Sequence, residues 1–497
     1  MAAEPAAIAV ASPAPGSAVS TSRRWWALVV ISVSQLMISV DSTIVNIALP
    51  SAQRDLGISA ANRQWVLTAY LLAFGGLMLL GGRIADLAGR KRVFLAGVVG
   101  FAAASILGGV AADTAMLITA RALQGTCAAL MAPAALSLIT MTFPDGNERA
   151  RALGVFSAIA GSGAAVGLLA GGALTEYVSW RWSLLVNAPI ALAVAAGAAL
   201  CVTGTETAPG SRRRLDVPGS VVISAALMAL ILGLSHAETA GWTAPATPAL
   251  LAAAVVLTVV FVQVERRTAE PLLPLRLITN RTRAGVYLSQ GLSIMTMFGL
   301  LLFLTYDLQT VNDYAALKTG IAFLPLVVGM LTGASLIAGR LTHIPHRWLM
   351  GTGCLIAAAG MVFLTFLHPN SSYWSVILPA AGIFGLGLGI AFPSAMHLAT
   401  YQVQDRDTGV ASGLINASQQ LGGAMGAALL NTIAATATAG WLRTHHATGP
   451  ATAATVHGYA IGARWAVGIL ILAALVVFTM VRSSDTPAPP PASVAQP

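Results

Sequence analysis

A chain of 497 residues that is 56% hydrophobic and only 9% charged carries too little charge to cover the surface of a soluble protein of that length. Its net charge of +9 would suit a nucleic-acid binder, but the basic residues sit in short segments between apolar runs, where the positive-inside rule places them. Cys127, Cys201 and Cys354 all fall inside apolar runs, so no disulfide framework is implied and they read as inert core residues.

In chain order, residues 1–22 are Ala/Pro/Ser-rich and read as disordered, as does the Pro-rich tail 483–497. The run after "SRRWW" (22–26) is too long for a signal h-region and reads as an uncleaved first span. Repeated apolar runs of about 20 residues then predict an all-α integral membrane protein. Fourteen candidate transmembrane helices are expected near 25–49, 64–82, 92–112, 116–142, 150–175, 183–203, 217–236, 247–264, 284–307, 319–339, 348–367, 374–397, 408–432 and 458–481.

An even count puts both termini on one side. With that side cytoplasmic, 20 Lys and Arg fall in inner segments and 6 in outer ones, with Arg121 left inside a span; both termini are therefore expected in the cytoplasm. "GRIADLAGR" at 82–90 is echoed by "GRLTHIPHR" at 339–347, and "GVFSAIAGSGAAVGLLAG" at 154–171 by "GVASGLINASQQLGGAMG" at 409–426, offsets of 257 and 255. Each echo pairs a span with the one eight later. The expected organisation is thus 6 + 2 + 6: an N-terminal six-helix half (23–203), a two-helix insert (204–270) and a C-terminal six-helix half (271–482). Parallel repeats of this kind belong to transporters that bind substrate at the midplane between halves.

Five segments carry a resemblance. "GGRIADLAGRKR" (81–92) resembles the loop signature between spans two and three of the major facilitator superfamily. "DSTIVNIALP" (41–50), "WRWSLLVNAPI" (180–190) and "LDVPG" (215–219) resemble its 14-span drug:proton antiporter branch. "RALQGTCAA" (121–129) is similar to the span-four signature, with Cys127 where glycine is usual. The resemblance covers roughly residues 25–481 and implies the major facilitator fold, with the proton gradient as energy source and no cofactor. It further implies that Asp86, with Gly82, Gly89 and Arg90, forms a cytoplasmic gate that docks near "DRDTG" (405–409); the alternative is a simple loop anchor. Gly82 and Gly89 are expected to permit the tight turn there.

Arg121, beside Gln124, lies about five residues inside its span and must face protein or a water-filled path. The resemblance implies a role in proton coupling; hydrogen bonding to loop carbonyls is the alternative. Gly163, Gly167 and Gly171, with Gly172, form a helix-packing face in span five. The antiporter signature has a proline after the central glycine, whereas this chain has Leu168, so close packing is expected without a proline kink.

Asp41 lies past the midplane of the first span, where a carboxylate costs between about 3 and over 10 kcal/mol. Burial disfavours the charge, so Asp41 could take a proton from outside and yield it inside. The bland alternative is a capping or packing contact with Ser42, Thr43 or Asn46. Asp307, in "FLTYDLQTV", is a second candidate for coupling or for the pocket, unless it simply reaches outer water beside Asp313. Asn46, Gln124, Tyr306, Gln309, Asn416 and Gln420 are candidate cavity residues. No phosphate loop, HExxH, CxxC or metal-ligand cluster occurs, and "GLGLG" (385–389) reads as helix packing. The expected function is proton-coupled efflux of lipophilic small molecules across the cell membrane by a monomer that binds no nucleic acid. The alternative is a dedicated exporter of one endogenous secondary metabolite.

Overall fold

In hydrocarbon a backbone has no partner but itself, so each long apolar run closes as a helix. The structure, a computed structural model, describes residues 21–143, 146–202, 216–241, 243–268, 275–341, 343–369, 371–401, 403, 408–444 and 451–482. Residues 1–20, the segment 203–215 and the tail 483–497 are among those outside the described residues.

A first group comprises α1 (Thr21–Leu56), α2 (Ala60–Ala88), α3 (Arg90–Gly109), α4 (Thr114–Thr142), α5 (Gly146–Tyr177), α6 (Trp182–Leu185) and α7 (Asn187–Cys201). The helices α8 (Val217–Ala240) and α9 (Ala246–Arg267) pack on each other as a pair. The second group comprises α10 (Leu275–Thr279), α11 (Arg281–Tyr306), α12 (Ala316–Ala322), α13 (Leu324–Gly339), α14 (His346–Leu364), α15 (Leu378–Thr400), α16 (Thr408–Thr444) and α17 (Ala451–Met480). π-turns at Asp307–Val311 and Tyr373–Ile377 extend α11 and lead into α15. No strand occurs among the described residues.

Among those residues, eleven helical segments are long and apolar enough to cross a membrane, or twelve if the bent pair 62–78 and 80–88 is one span. Their burial separates roles. Of the most apolar stretch in 281–311, 72% is buried inside the protein, against 17% in α9, whose Val255, Val256 and Val259 face outward. Exposed valines on a helix this apolar are suited to lipid contact.

Local chemistry sets the helix ends. Gly57, at φ +62°, stops α1 at Leu56, and the Ser59 hydroxyl accepts from Asn62 N to start α2. Asp113 caps α4 through Met116 N at 2.8 Å. In "LDVPG", Asp216 caps α8 through Gly219 N at 2.8 Å, with Pro218 in the first turn.

The turn between α2 and α3 is Gly89 alone, at φ +95°. Gly82 does not belong to it: α2 bends between Met78 and Leu80 but stays helical through Gly82 to Ala88 and ends only at Gly89. A β-carbon at Gly82 would lie 3.5 Å from Pro133 Cβ, an ordinary contact, so neither turn nor packing demands glycine there.

Helix α5 packs on α1 and continues unbroken through Leu168, which is buried. A β-carbon at Gly167 would lie 2.8 Å from the Val40 carbonyl oxygen, and one at Gly171 2.9 Å from that of Ile44. Gly163 faces Ser39, while Gly172 meets α12, where a β-carbon would sit 2.7 Å from Leu317 Cα. Helix α5 thus touches both groups. Helix α8 lies across the other seam, packing on α2 and α16, and Ser224 Oγ donates to the Gly76 carbonyl at 2.7 Å.

Candidate functional site

Asp41 of α1 is fully buried, and its partners come from α4 and α7. Arg121 Nη1 donates to Asp41 Oδ2 at 2.6 Å, Gln124 Nε2 to Oδ1 at 3.0 Å and Asn187 Nδ2 to Oδ1 at 2.7 Å. The Arg121 guanidinium makes further contacts: Nη1 also donates to Gln124 Oε1 at 2.9 Å, Nε to the Val66 carbonyl at 3.1 Å, and its face covers the Tyr70 ring at 4.2 Å. Gln124 Nε2 reaches Ser105 Oγ of α3 at 2.8 Å. Five helices therefore meet at one charge pair.

The local capping alternative for Asp41 does not hold. Ser42 and Thr43 hydroxyls and the Asn46 amide donate back to carbonyls of their own helix, at Ser39, Val40 and Ser42, and leave the carboxylate to other helices. Arg121 pairs with Asp41 as well as with a backbone carbonyl. Sequence reading placed Asp41, Arg121 and Gln124 as separate candidates and missed Asn187, Ser105 and Tyr70. The available signal was an asparagine within the apolar "LLVNAPI", but nothing in the sequence assigned it a partner 146 residues away.

A second cluster joins the two helix groups at the bundle end where Leu56 lies. Arg63 Nη2 of α2 donates to Asn431 Oδ1 of α16 at 3.0 Å, with its guanidinium 4.3 Å from the centre of the Tyr306 ring. Tyr306 Oη donates to Gln53 Oε1 at 2.6 Å, Gln309 Nε2 to the Ile47 carbonyl at 3.0 Å, and Leu317 N to Glu176 Oε2 at 2.9 Å. Two expected cavity residues, Tyr306 and Gln309, thus close a seam. Asp307 does not reach water: it is 1% exposed on the π-turn, because that turn folds it inward beneath the Asn312 amide. Asn312 Nδ2 donates to Oδ2 at 3.1 Å, and Oδ1 has no hydrogen-bond partner.

Asn416 and Gln420 lie half-buried on α16; a β-carbon on Gly75 of α2 would come 2.9 Å from Gln420 Cβ. At the Thr21 end, Asp86 Oδ1 accepts from Arg90 Nη2 at 2.9 Å, within its own turn. Residues 404–407 of the expected dock lie outside the described residues. Here basic side chains bond within their own group: Arg23 to the Leu200 carbonyl, Lys91 to that of Ala199 and Arg281 to that of Thr479. Among the described residues, no cluster of His, Cys, Asp and Glu could hold a metal.

Two groups of long apolar helices, the first of them built around a buried charge network, have the architecture of a polytopic membrane protein. A family model described as the Major Facilitator Superfamily matches residues 31–427, and the chain belongs to that superfamily. The puromycin resistance protein pur8 of Streptomyces alboniger is 49% identical over 465 residues, 93% of this chain and 92% of the relative. The cephamycin export protein CmcT of Amycolatopsis lactamdurans is 38% identical over 427 residues, 86% and 88% of the two chains. Among solved structures, a bacterial homologue of the human lysosomal transporter Spinster, inward-facing and unoccupied, superposes with a TM-score of 0.67 at 17% identity, covering 95% of this chain and all of that one.

Proposed function

We propose that the protein exports lipophilic, antibiotic-class small molecules across the cell membrane in exchange for protons. Two amides and a guanidinium built around one fully buried carboxylate carry this reading. Such a pair is stable only while Asp41 is charged. A proton on Asp41 removes the attraction to Arg121 and frees both to rearrange, biasing the two ends of the bundle between open and closed. Asp307, buried with one oxygen unpartnered and no ion-pair partner among the described residues, serves as a second coupling acid. The 6 + 2 + 6 arrangement, fourteen spans and cytoplasmic termini follow from the arginine distribution and the repeat. With that orientation the Leu56 end is the outer one, and its seam is closed. Asp86 and Arg90, paired across the Gly89 turn, then serve the inner gate.

A second reading, export of one endogenous metabolite, is favoured by the names of the relatives, two of which refer to a single antibiotic each. Inverted membrane vesicles holding a proton gradient test both. Puromycin, lincomycin and unrelated lipophilic drugs are added to vesicles carrying the natural protein or Asp41→Asn. The proposal expects the gradient to collapse on drug addition only with Asp41 present. Continued exchange by a folded Asp41→Asn protein would overturn the coupling role. A response to one drug alone selects the dedicated exporter.

A further inference from the structure

The Asp41 network has a chemical asymmetry. Arg121, Gln124 and Asn187 all present N–H groups to the carboxylate. This suits the anion, but a protonated Asp41 carries an O–H donor and needs an acceptor. Gln124 cannot supply one by turning over: Oε1 already accepts from Arg121, and Nε2 donates to both Asp41 and Ser105. Arg121 has no acceptor. Asn187 differs, because its Nδ2 is spent on Asp41 while its Oδ1 is fully buried with no hydrogen-bond partner. An orphaned buried carbonyl of this kind costs about 1–3 kcal/mol and calls for a purpose.

We propose that Asn187 is a positioning residue that reads the protonation state of Asp41 by turning its amide over. This rests on Asp41 being the proton site. In the charged state Nδ2 donates to Asp41 Oδ1. When a proton from water adds to a carboxylate oxygen lone pair, the amide rotates by half a turn and Oδ1 accepts the new O–H. One O–H bond of a hydronium ion breaks, leaving water, as the Asp41 O–H forms; the Nδ2–Oδ1 hydrogen bond is exchanged for one from that O–H to Asn187 Oδ1, and the arriving proton cancels the negative charge. The charged and titratable groups facing Asp41 are Arg121 of α4 and Tyr70 of α2; Ser105 of α3 and Asn187 of α7 carry no charge. The Tyr70 hydroxyl also lacks a partner, which makes it the competing acceptor.

Infrared difference spectra between neutral and acidic pH, on the full chain in lipid, read the acid directly. The carbonyl-stretch band lost in Asp41→Asn belongs to protonated Asp41. In Asn187→Leu that band is expected to move to the higher frequency of an acid without an acceptor, with drug-driven proton exchange (puromycin as probe) falling about tenfold. Asn187→Thr, whose hydroxyl both donates and accepts, is expected to restore both. An unmoved band in a folded Asn187→Leu protein overturns the inference and leaves the coupling role of Asp41 standing. A band moved by Tyr70→Phe and not by Asn187→Leu overturns it in favour of the tyrosine. Absence of any Asp41-dependent band removes the coupling reading itself.

Discussion

Arg121 holds Asp41, Gln124, the Val66 carbonyl and the Tyr70 ring with one planar group. Removing one side of such a pair strands the other charge, whereas neutralising both leaves amides that can bond each other. Arg121→Gln is therefore expected to destabilise the protein by about 3–5 kcal/mol. Adding Asp41→Asn should recover part of that loss, a non-additivity of at least 1 kcal/mol that marks direct contact. Thermal unfolding of the purified single and double variants checks it; strictly additive losses would mean that the pair contributes no coupling. The same comparison separates stability from transport, because the double variant is expected to fold and yet exchange no protons.

At the scale of elements, the α1–α5 contact fixes where Asp41 sits. Gly171→Ala would drive a β-carbon to 2.9 Å from both the Ile44 Cγ1 and its carbonyl, and backbone cannot yield as a side-chain tip can. The expected cost is about 1–3 kcal/mol, read as a lower melting temperature, together with slower exchange because α1 is displaced. Gly468→Ala on α17, where a β-carbon would meet nothing within 4 Å, is the control and should be neutral. The glycine face was legible in sequence because a four-residue spacing puts residues on one helix side whatever the neighbour. Helix positions were legible for a similar reason: hydrocarbon allows a backbone little else. Gly82 was misread because a loop signature does not reveal where the helix before it ends. The burial of Asp307, itself a named candidate, and the role of Asn187 were illegible because burial in a helical bundle depends on which distant helix covers a residue. Neither polarity nor spacing encodes that.

For the whole molecule, the seam at the Leu56 end sets the balance between closed and open forms. Its hydrogen bonds run between helices that must separate if that end is to open: Tyr306 to Gln53, Gln309 to Ile47, Arg63 to Asn431 and Leu317 to Glu176. Each is a modest interaction, so one deletion should shift the population without unfolding either group. Tyr306→Phe keeps the ring beneath Arg63 and removes only the hydroxyl that donates to Gln53. A loss of about 1 kcal/mol corresponds to a roughly fivefold gain in the open form. Spin labels at Arg54 and Ala315, both exposed at this end, would report it as a longer-distance population in a background without Cys127, Cys201 and Cys354. The natural protein should show mainly the short distance. Were Tyr306→Phe to leave the distribution unchanged, closure would have to reside in the α5–α12 contact, where Gly172 meets Leu317 and Gly320 meets the Leu168 backbone. The apolar packing of that contact, rather than the hydrogen bonds of the seam, would then decide which side of the membrane the transporter faces.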